Sequence, residues 1–236
     1  MEEIIALASG KGGVGKTFLS INITLALQQL GKDVKLIDGD TTSSNLGGQL
    51  GITEFGSSLQ DVLEGENIQE ALHVHSSGLK FVPSSFSLNK INTSIYENQK
   101  RFRSEIKKLK GSLIFDTPSG LTKDSQILMA LADKVVIVSN PDVPSIIDAA
   151  KVSELVDVGD DKFDKKVKGL ILNRIKNSKY GLNASEIEVM CSAPIIAKLK
   201  EEKIAEESIY QETPLVKYKP NDDLTNKIKE IARNLS

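Results

Sequence analysis

Cysteine and aromatic residues are scarce in this sequence of 236 residues, and tryptophan is absent. The one cysteine, Cys191, cannot form an intramolecular disulfide, and one thiol cannot supply a cysteine-rich zinc or iron–sulfur site within the chain. Because proteins without disulfides are typical of reducing compartments, we expect a cytoplasmic protein. Met190, Ala193 and Pro194 near Cys191 are typical of packing and turns, so we expect the thiol to be dispensable.

Long apolar runs and an excess of charge of one sign are also absent. No apolar run reaches the roughly 18 residues that a transmembrane helix requires, so no such helix is predicted. Residues 1–5 lack the basic region and the apolar length of a signal peptide, and we expect none. The net charge of −2 creates no overall field that would attract nucleic acid or anionic lipid.

Short apolar runs alternate with longer amphipathic stretches along the whole chain. We predict strands at residues 4–8, 34–38, 79–82, 113–116, 135–138, 167–172 and 193–197. We predict helices at residues 16–30, 96–109, 125–132, 143–156 and 222–234, with Gly31 as the first C-cap and a loop at 157–166. This alternation predicts an α/β fold with a doubly wound, mostly parallel sheet and helices on both faces, as one domain spanning residues 1–236.

A glycine-rich segment lies between the first predicted strand and the first predicted helix. Residues 10–17 read Gly-Lys-Gly-Gly-Val-Gly-Lys-Thr and fit the P-loop pattern G-x-x-x-x-G-K-[ST]. The glycines let backbone N–H groups turn toward phosphate oxygens, and the helix N-terminus adds a positive dipole. Lys16 supplies charge to the β- and γ-phosphates, and the Thr17 hydroxyl is a Mg²⁺ ligand. The expected contacts are Gly10, Lys11, Gly12, Gly13, Val14, Gly15, Lys16, Thr17 and Phe18.

Carboxylates follow two further predicted strands. Asp38 and Asp40 come after the second strand, and Asp116 ends the strand before Thr117-Pro118-Ser119-Gly120. Ligands of open α/β sheets bind at the carboxyl ends of the strands, where these side chains are expected to meet. An apolar strand that ends in Asp is typical of a Walker B element, whose carboxylate binds Mg²⁺ through water. The sequence therefore predicts a site for a nucleoside triphosphate with Mg²⁺.

Four segments together resemble the MinD/ParA family of ATPases. The octet with its early Lys11 is similar to the deviant Walker A motif of that family. Residues 38–46, with Asn45-Leu46 at their end, resemble switch I, and residues 116–120 resemble switch II. Asn173-Arg174 is similar to the element that contacts adenine. The family fold is a P-loop NTPase, which agrees with the predicted sheet.

The resemblance implies roles for individual residues. Lys11 would reach across a dimer to the partner's nucleotide, and Asp40 would orient or deprotonate the attacking water. Asp38 would support the P-loop lysine and the metal shell. The Gly120 N–H would sense the γ-phosphate, and the Asn173 amide would distinguish adenine from guanine. The implied catalytic residues are Lys11, Lys16 and Asp40. The further nucleotide contacts are Asp38, Asn45, Asp116, Gly120, Asn173 and Arg174. The implied metal ligands are Thr17 and, through water, Asp116, with Asp40 as a further candidate through water.

Three departures from the family pattern stand out. Phe18 replaces a second Thr, which removes a hydroxyl at the α-phosphate. Lys200-Glu201 stands where the family usually has Pro followed by an acidic residue at the adenine. Residues 224–235 have lysines and an apolar stripe but no Phe or Trp, so we expect a packed terminal helix in place of a membrane-binding one.

The resemblance implies a slow, MinD-like ATPase that acts as a nucleotide switch in spatial regulation, such as cell division or positioning. It would bind ATP or ADP with Mg²⁺, form a homodimer in the ATP state and engage a protein activator or cargo. One alternative is a ParA-like ATPase that binds DNA through the basic run at residues 100–110. Another is a carboxylate ligase of the dethiobiotin or cobyrinate synthetase type. An iron–sulfur carrier is disfavoured because Cys191 is alone.

Overall fold

The computed structural model describes residues 2–158, 166–176 and 182–236, and within them eight strands form one sheet. The strands are β1 Ile4–Ala8, β2 Val34–Asp38, β3 His73–Val74, β4 Lys80–Val82, β5 Ser112–Asp116, β6 Lys134–Ser139, β7 Val167–Ile175 and β8 Ile195–Lys200. Their order is β3-β4-β2-β5-β1-β6-β7-β8. All neighbours are parallel except β3 and β4, which pair antiparallel.

Helices cover both faces of this sheet. The helices are α1 Lys16–Gln29, α2 Leu46–Gln49, α3 Leu59–Glu64, α4 Gln99–Ile106, α5 Lys123–Leu131, α6 Val143–Val158, α7 Ala184–Cys191, α8 Lys203–Tyr210, α9 Leu215–Tyr218 and α10 Asp223–Leu235. Residues of α3 to α7 pack on one face, and residues of α1, α2 and α8 to α10 pack on the other. The predicted doubly wound α/β fold is therefore confirmed.

Strand β1 shows why the sequence folds in two layers around the sheet. Every residue of β1 is buried, and successive side chains of a strand point to opposite faces. Ile4, Ala6 and Ala8 join the core beneath α3 to α7, whereas Ile5 and Leu7 join the core beneath α1 and α10. A strand that is apolar at every position is therefore stable only between two layers of helices.

The main differences from the sequence prediction concern short elements. Strand β3 has two residues and α2 and α9 have four each, so they carry too little periodicity to be predicted. The predicted helix at 96–109 is shorter, at Gln99–Ile106. Helix α6 continues to Val158, and the rest of the predicted loop, apart from Lys166, lies outside the described residues.

Two predictions about helices are confirmed, one about the end of α1 and one about the packing of α10. Gly31 follows α1 with a φ of 82°, the left-handed conformation that a helix C-terminus commonly requires. The apolar stripe of α10, formed by Leu224, Ile228, Ile231 and Leu235, is buried against α1 and β8. Within the described part of the chain, no helix combines the length and apolar character needed to cross a membrane.

Candidate functional site

The P-loop joins β1 to α1 and is held tightly between neighbouring elements. Gly13 and Gly15 have φ angles of 78° and 89°, which glycine adopts without strain. A Cβ on Gly10 would lie 2.4 Å from the Asp148 carbonyl oxygen of α6. A Cβ on Gly15 would lie 2.4 Å from the Asn173 side-chain nitrogen of β7. Glycine is therefore required by the close approach of α6 and β7, as well as by the curvature of the loop.

Lys16 begins α1 and points into the protein. Its Nζ lies 2.8 Å from Oδ1 of Asp116 at the end of β5, and both side chains are buried. The Ser20 hydroxyl, one turn later on α1, lies 2.9 Å from the same carboxylate oxygen and 3.0 Å from the Lys16 carbonyl. This contact joins the P-loop to the predicted Walker B residue and brings the helical turn that carries Thr17 beside it.

Asp38 is buried at the end of β2, opposite Asp116 in the strand register. Its carboxylate accepts hydrogen bonds from the Ser44 hydroxyl and, at 3.1 Å, from the Asp40 N–H. Ser84 donates to its backbone carbonyl at 2.9 Å. Burial, and secondarily the charge of Asp116, raise the pKa of Asp38 to about 7. Lys16 is paired with Asp116, whereas the contacts of Asp38 described above are with switch I and Ser84.

Asp40 is half-buried and is held within its own turn. Its Oδ1 accepts hydrogen bonds from the Ser43 N–H at 2.8 Å and from the Thr42 hydroxyl at 3.1 Å. The exposed Asn45 donates its side-chain amide to the Ser43 carbonyl at 2.9 Å. Switch I is thus a loop closed by its own side chains, directly after the carboxyl end of β2.

Switch II lies directly against the start of the P-loop. The Gly120 N–H, which the resemblance assigns to sensing the γ-phosphate, donates to the Ser9 carbonyl at 2.8 Å. The Ser119 hydroxyl lies 3.8 Å from the position that a Cβ on Gly12 would take. A role for the Gly120 N–H in sensing phosphate therefore requires it to leave Ser9.

Lys11 points away from the buried end of the loop. Its side chain is 49% exposed, and its Nζ lies 3.8 Å from Oδ1 of Asp142. Ser145 at the start of α6 donates its N–H and hydroxyl to the Asp142 carboxylate at 3.0 and 2.8 Å. Burial alone would raise the pKa of Asp142, but the bonds from Ser145 and the charge of Lys11 hold it below its usual value. An exposed pair of this kind is weak and is easily exchanged.

The predicted adenine element contacts the P-loop. Asn173 is buried near the end of β7 and donates its amide to the Val14 carbonyl at 2.8 Å. The donor expected to contact adenine therefore supports the loop that is predicted to bind phosphate. Arg174 is exposed and has a φ of 54°, a backbone conformation that costs a side chain about 1–2 kcal/mol. Glu201, after β8, pairs with Lys176 at 3.1 Å.

Phe18, the first departure from the family pattern, is accommodated in the core. Its ring is buried in the core cluster that also contains residues of α1 and α10. Only its backbone can therefore take the place of the family threonine.

Several residues of the site were missed by sequence reasoning. Ser20 had a usable signal, because it follows Lys16 by four residues and lies on the same helix face. Thr41 and Asp124 gave none, because they are 83 residues apart and meet only in the fold, at 3.2 Å between the Thr41 hydroxyl and the Asp124 carboxylate.

The residues present fit a nucleotide with Mg²⁺. The Ser9 and Asn140 side-chain oxygens are buried directly after the neighbouring strands β1 and β6, and they have no hydrogen-bond partner among the described residues. The Thr17 hydroxyl and Asp116 carboxylate are hard oxygen donors, which Mg²⁺ prefers. The glycine loop is the kind of backbone cradle that binds phosphate. Both the oxygen donors and the shape of the loop therefore fit a nucleotide with Mg²⁺.

The basic run at residues 100–110 is partly occupied by structural contacts. Arg101 donates to the backbone carbonyls of Val62 and Glu66. Lys108 pairs with Glu105 at 2.7 Å. The run is therefore a weaker candidate for a nucleic-acid surface than its sequence indicates.

Comparisons with known proteins found a family model, relatives and solved structures that this chain resembles. A family model described as an AAA domain matches residues 2–168. An uncharacterised ATP-binding protein of Methanocaldococcus jannaschii is 34% identical over 98% of this chain and 86% of its own length. The structure of the septum site-determining protein MinD complexed with Mg-ADP from Pyrococcus horikoshii OT3 is similar, with a TM-score of 0.88 and 25% identity over 100% of this chain and 96% of that one.

A further solved structure has higher sequence identity. It is the MinC:MinD cell division protein complex of Aquifex aeolicus, with a TM-score of 0.84 and 33% identity over 99% of this chain and 95% of the matched one. The family model, the relatives and the P-loop geometry all lead to one assignment. The chain belongs to the MinD/ParA family of P-loop ATPases.

Proposed function

We propose that this protein, as a single P-loop ATPase domain spanning residues 1–236, is a slow nucleotide switch. It binds ATP with Mg²⁺ and forms a homodimer in the ATP state. That dimer engages a protein partner, and hydrolysis releases it. The observation that carries the proposal is the contrast between two lysines of one loop. Lys16 is 6% exposed and paired with Asp116, whereas Lys11 is 49% exposed and only loosely paired with Asp142.

Each side chain of the site has a distinct role in this proposal. Lys16 exchanges Asp116 for the β- and γ-phosphates, and Mg²⁺ would be held by Thr17 and, through water, by Asp116. The metal, when bound, neutralises phosphate charge. Asp40, which lies in switch I, orients or deprotonates the attacking water. Ser20 keeps the Asp116 carboxylate oriented when Lys16 moves to the phosphates, because its hydroxyl already lies 2.9 Å from Oδ1.

Lys11 is suited to act on the nucleotide of a second subunit. Two nucleotides that face each other across a dimer would repel, and a lysine from each subunit offsets that repulsion. Leaving Asp142 costs little, because the present pair is long and solvent-screened. The bonds gained are charge-assisted and can stabilise charge that develops in the transition state. After hydrolysis the γ-phosphate is absent, so the dimer should loosen.

The relatives support the same reading. One similar structure is of a MinD protein with Mg-ADP, and another is of a MinC:MinD cell division complex. By analogy, we place this protein in spatial regulation with a protein partner, in the cytoplasm. The packed apolar stripe of α10 favours this over direct membrane contact, and the contacts of Arg101 and Lys108 favour it over DNA binding.

Light scattering after size-exclusion chromatography tests the proposal. In an Asp40→Ala background, which should retain ATP, we expect a dimer with ATP and a monomer with ADP. Adding Lys11→Ala should abolish the ATP dimer while nucleotide affinity changes little. Lys151→Ala is the matched control, because Lys151 is 58% exposed and pairs with Asp148 one turn earlier on its own helix, α6. A Lys11→Ala dimer as stable as the control would contradict the proposal and favour a monomeric ATPase such as the ligase.

A further inference from the structure

Asp124 is a buried carboxylate in the first turn of α5, immediately beyond switch II. Its Oδ1 accepts hydrogen bonds from the Ser94 hydroxyl and the Tyr96 N–H, both at 2.8 Å. Its Oδ2 accepts from the Thr41 hydroxyl and the Ile95 N–H, both at 3.2 Å. The carboxylate therefore joins three segments that are distant in sequence.

These contacts exceed what a helix N-terminus requires. Capping of α5 is already provided by Thr122, whose side chain accepts from the Ser125 N–H at 3.1 Å. The four donors to Asp124 described above all come from outside α5. Bonds to a carboxylate are about twice as strong as neutral ones. Asp124 is thus placed to fix other segments relative to α5.

Switch I is one of those segments. Thr41 follows Asp40 directly and is buried. The Gln60 amide donates to the Thr41 carbonyl at 3.0 Å, and the Thr41 hydroxyl donates to the Asp124 carboxylate. The position of the Asp40 backbone therefore depends on both contacts of its neighbour.

Switch II is connected to the same turn of α5. The Ser125 hydroxyl donates to the Gly120 carbonyl at 2.8 Å, and the Gly120 N–H donates to Ser9. A displacement of Gly120 would therefore move the first turn of α5, which carries Asp124. That turn is joined to Thr41 by the Asp124 carboxylate.

We propose that Asp124 is a positioning residue that couples switch II to switch I. By holding the Thr41 hydroxyl, it places Asp40 for hydrolysis and makes the two switches move together. The inference rests on the proposed ATPase function, and it adds a residue to which no motif assigns a role.

Kinetics of matched variants test the coupling. Thr41→Val removes one hydroxyl and keeps the shape of the side chain. Because misplacement of a reacting group is costly, we expect kcat to fall about tenfold, with KM for ATP changed by less than about twofold. Thr41→Ser should restore kcat. Asp124→Asn should resemble Thr41→Val, and the double variant should be no slower than the slower single variant, since both break one link.

Two controls separate coupling from loop stability. Ser94→Ala removes a donor to Asp124 that does not belong to switch I, and kcat should stay near wild type. Glu105→Gln alters another buried carboxylate, which accepts the Ile68 N–H far from the switches, and should also leave kcat unchanged. Wild-type kcat in Thr41→Val, an equal loss in Ser94→Ala, or additive losses in the double variant would overturn the coupling.

Hydrogen exchange gives a readout that does not depend on turnover. In Thr41→Val, the amides of residues 40–46 should exchange faster while those of residues 123–131 stay protected. Unchanged exchange at residues 40–46 would also overturn the coupling. If the wild-type protein binds ATP without hydrolysing it, the proposed function fails, and the exchange measurement still decides whether Asp124 holds switch I. Thr41→Val also keeps the test valid if Asp124→Asn does not fold.

Discussion

The two ends of the P-loop carry the same charge in opposite environments. At the inner end, Lys16 is buried 2.8 Å from Asp116, and Ser20 shares the carboxylate. At the outer end, Lys11 is half-exposed and 3.8 Å from Asp142. A buried pair is costly to break and fixes geometry, whereas an exposed pair contributes little and exchanges freely. The inner lysine is thus suited to a buried binding site, where a phosphate would replace Asp116 as its partner, and the outer lysine to a contact that forms and breaks.

Removing the inner lysine should have the largest effect. Lys16→Ala leaves Asp116 buried without its partner, beside Asp38. We expect a loss of about 3–5 kcal/mol in the free energy of unfolding and a loss of ATP affinity of at least roughly a hundredfold, or about 3 kcal/mol. Denaturant unfolding and calorimetry measure the two effects.

Lys35→Ala is the matched control for Lys16→Ala. Lys35 is also buried and pairs with Asp33 at 2.7 Å, but on β2 away from the P-loop. It should lower stability and leave ATP affinity near wild type. If Lys16→Ala bound ATP as tightly as this control, the inner end of the loop would not be the phosphate site.

Asn173→Ala asks whether the inner end is supported from β7. Loss of the bond to the Val14 carbonyl should weaken ATP and GTP binding alike, by about fivefold for a hydrogen bond of about 1 kcal/mol. Competition with a fluorescent nucleotide measures both affinities. A loss confined to ATP would instead return Asn173 to the role of reading adenine.

Cys191 should have the smallest effect, although it contacts α6, the helix that follows Asp142. Its Sγ lies 3.9 Å from the Ile146 carbonyl of α6, and burial raises the pKa of the thiol to about 11. We expect no alkylation of the native protein at pH 8 and wild-type ATPase activity in Cys191→Ala. Rapid alkylation of Cys191 in the folded protein would show that α6 moves away from the thiol. The outer end of the P-loop would then be less rigid than the structure indicates.

The same pKa predicts a pH dependence of stability. Burial favours the neutral thiol of Cys191 in the folded state. The stability that this thiol contributes is therefore complete below the ordinary thiol pKa of 9.0 and is lost as the pH rises through the folded-state pKa of about 11. Cys191→Ala should remove this part of the alkaline loss, which urea unfolding at pH 8 and pH 11 measures. An identical alkaline loss in both proteins would assign it to other groups.

Sequence reasoning succeeded where the signal is local. The unit formed by β1, the P-loop and α1 could be predicted from the sequence. An apolar run, a group of glycines and a helical spacing of apolar residues follow one another within residues 4–30. For Lys16 and Asp116, the sequence predicted only that both lie at the same edge of the sheet, and not that their side chains pair. The hydrogen bond from Ser20 to Asp116 was missed. The bond from Asn173 to Val14 spans 159 residues, so no motif could specify it. Long-range pairing depends on how layers pack, which composition and periodicity do not determine.

Mixing two inactive variants tests most directly whether the outer lysine acts across a dimer. Lys11→Ala retains Asp40 but lacks the outer lysine, and Asp40→Ala has the reverse defect. If Lys11 acts on the partner's nucleotide, a mixed dimer contains one complete site and keeps one of the two cross-dimer lysines. The mixture should therefore regain ATPase activity that neither variant has alone, up to the roughly one quarter of wild type that random pairing would give. ATPase activity of the equimolar mixture at that level is the predicted result. A mixture as inactive as its components, under conditions where the wild type hydrolyses ATP, would contradict the account.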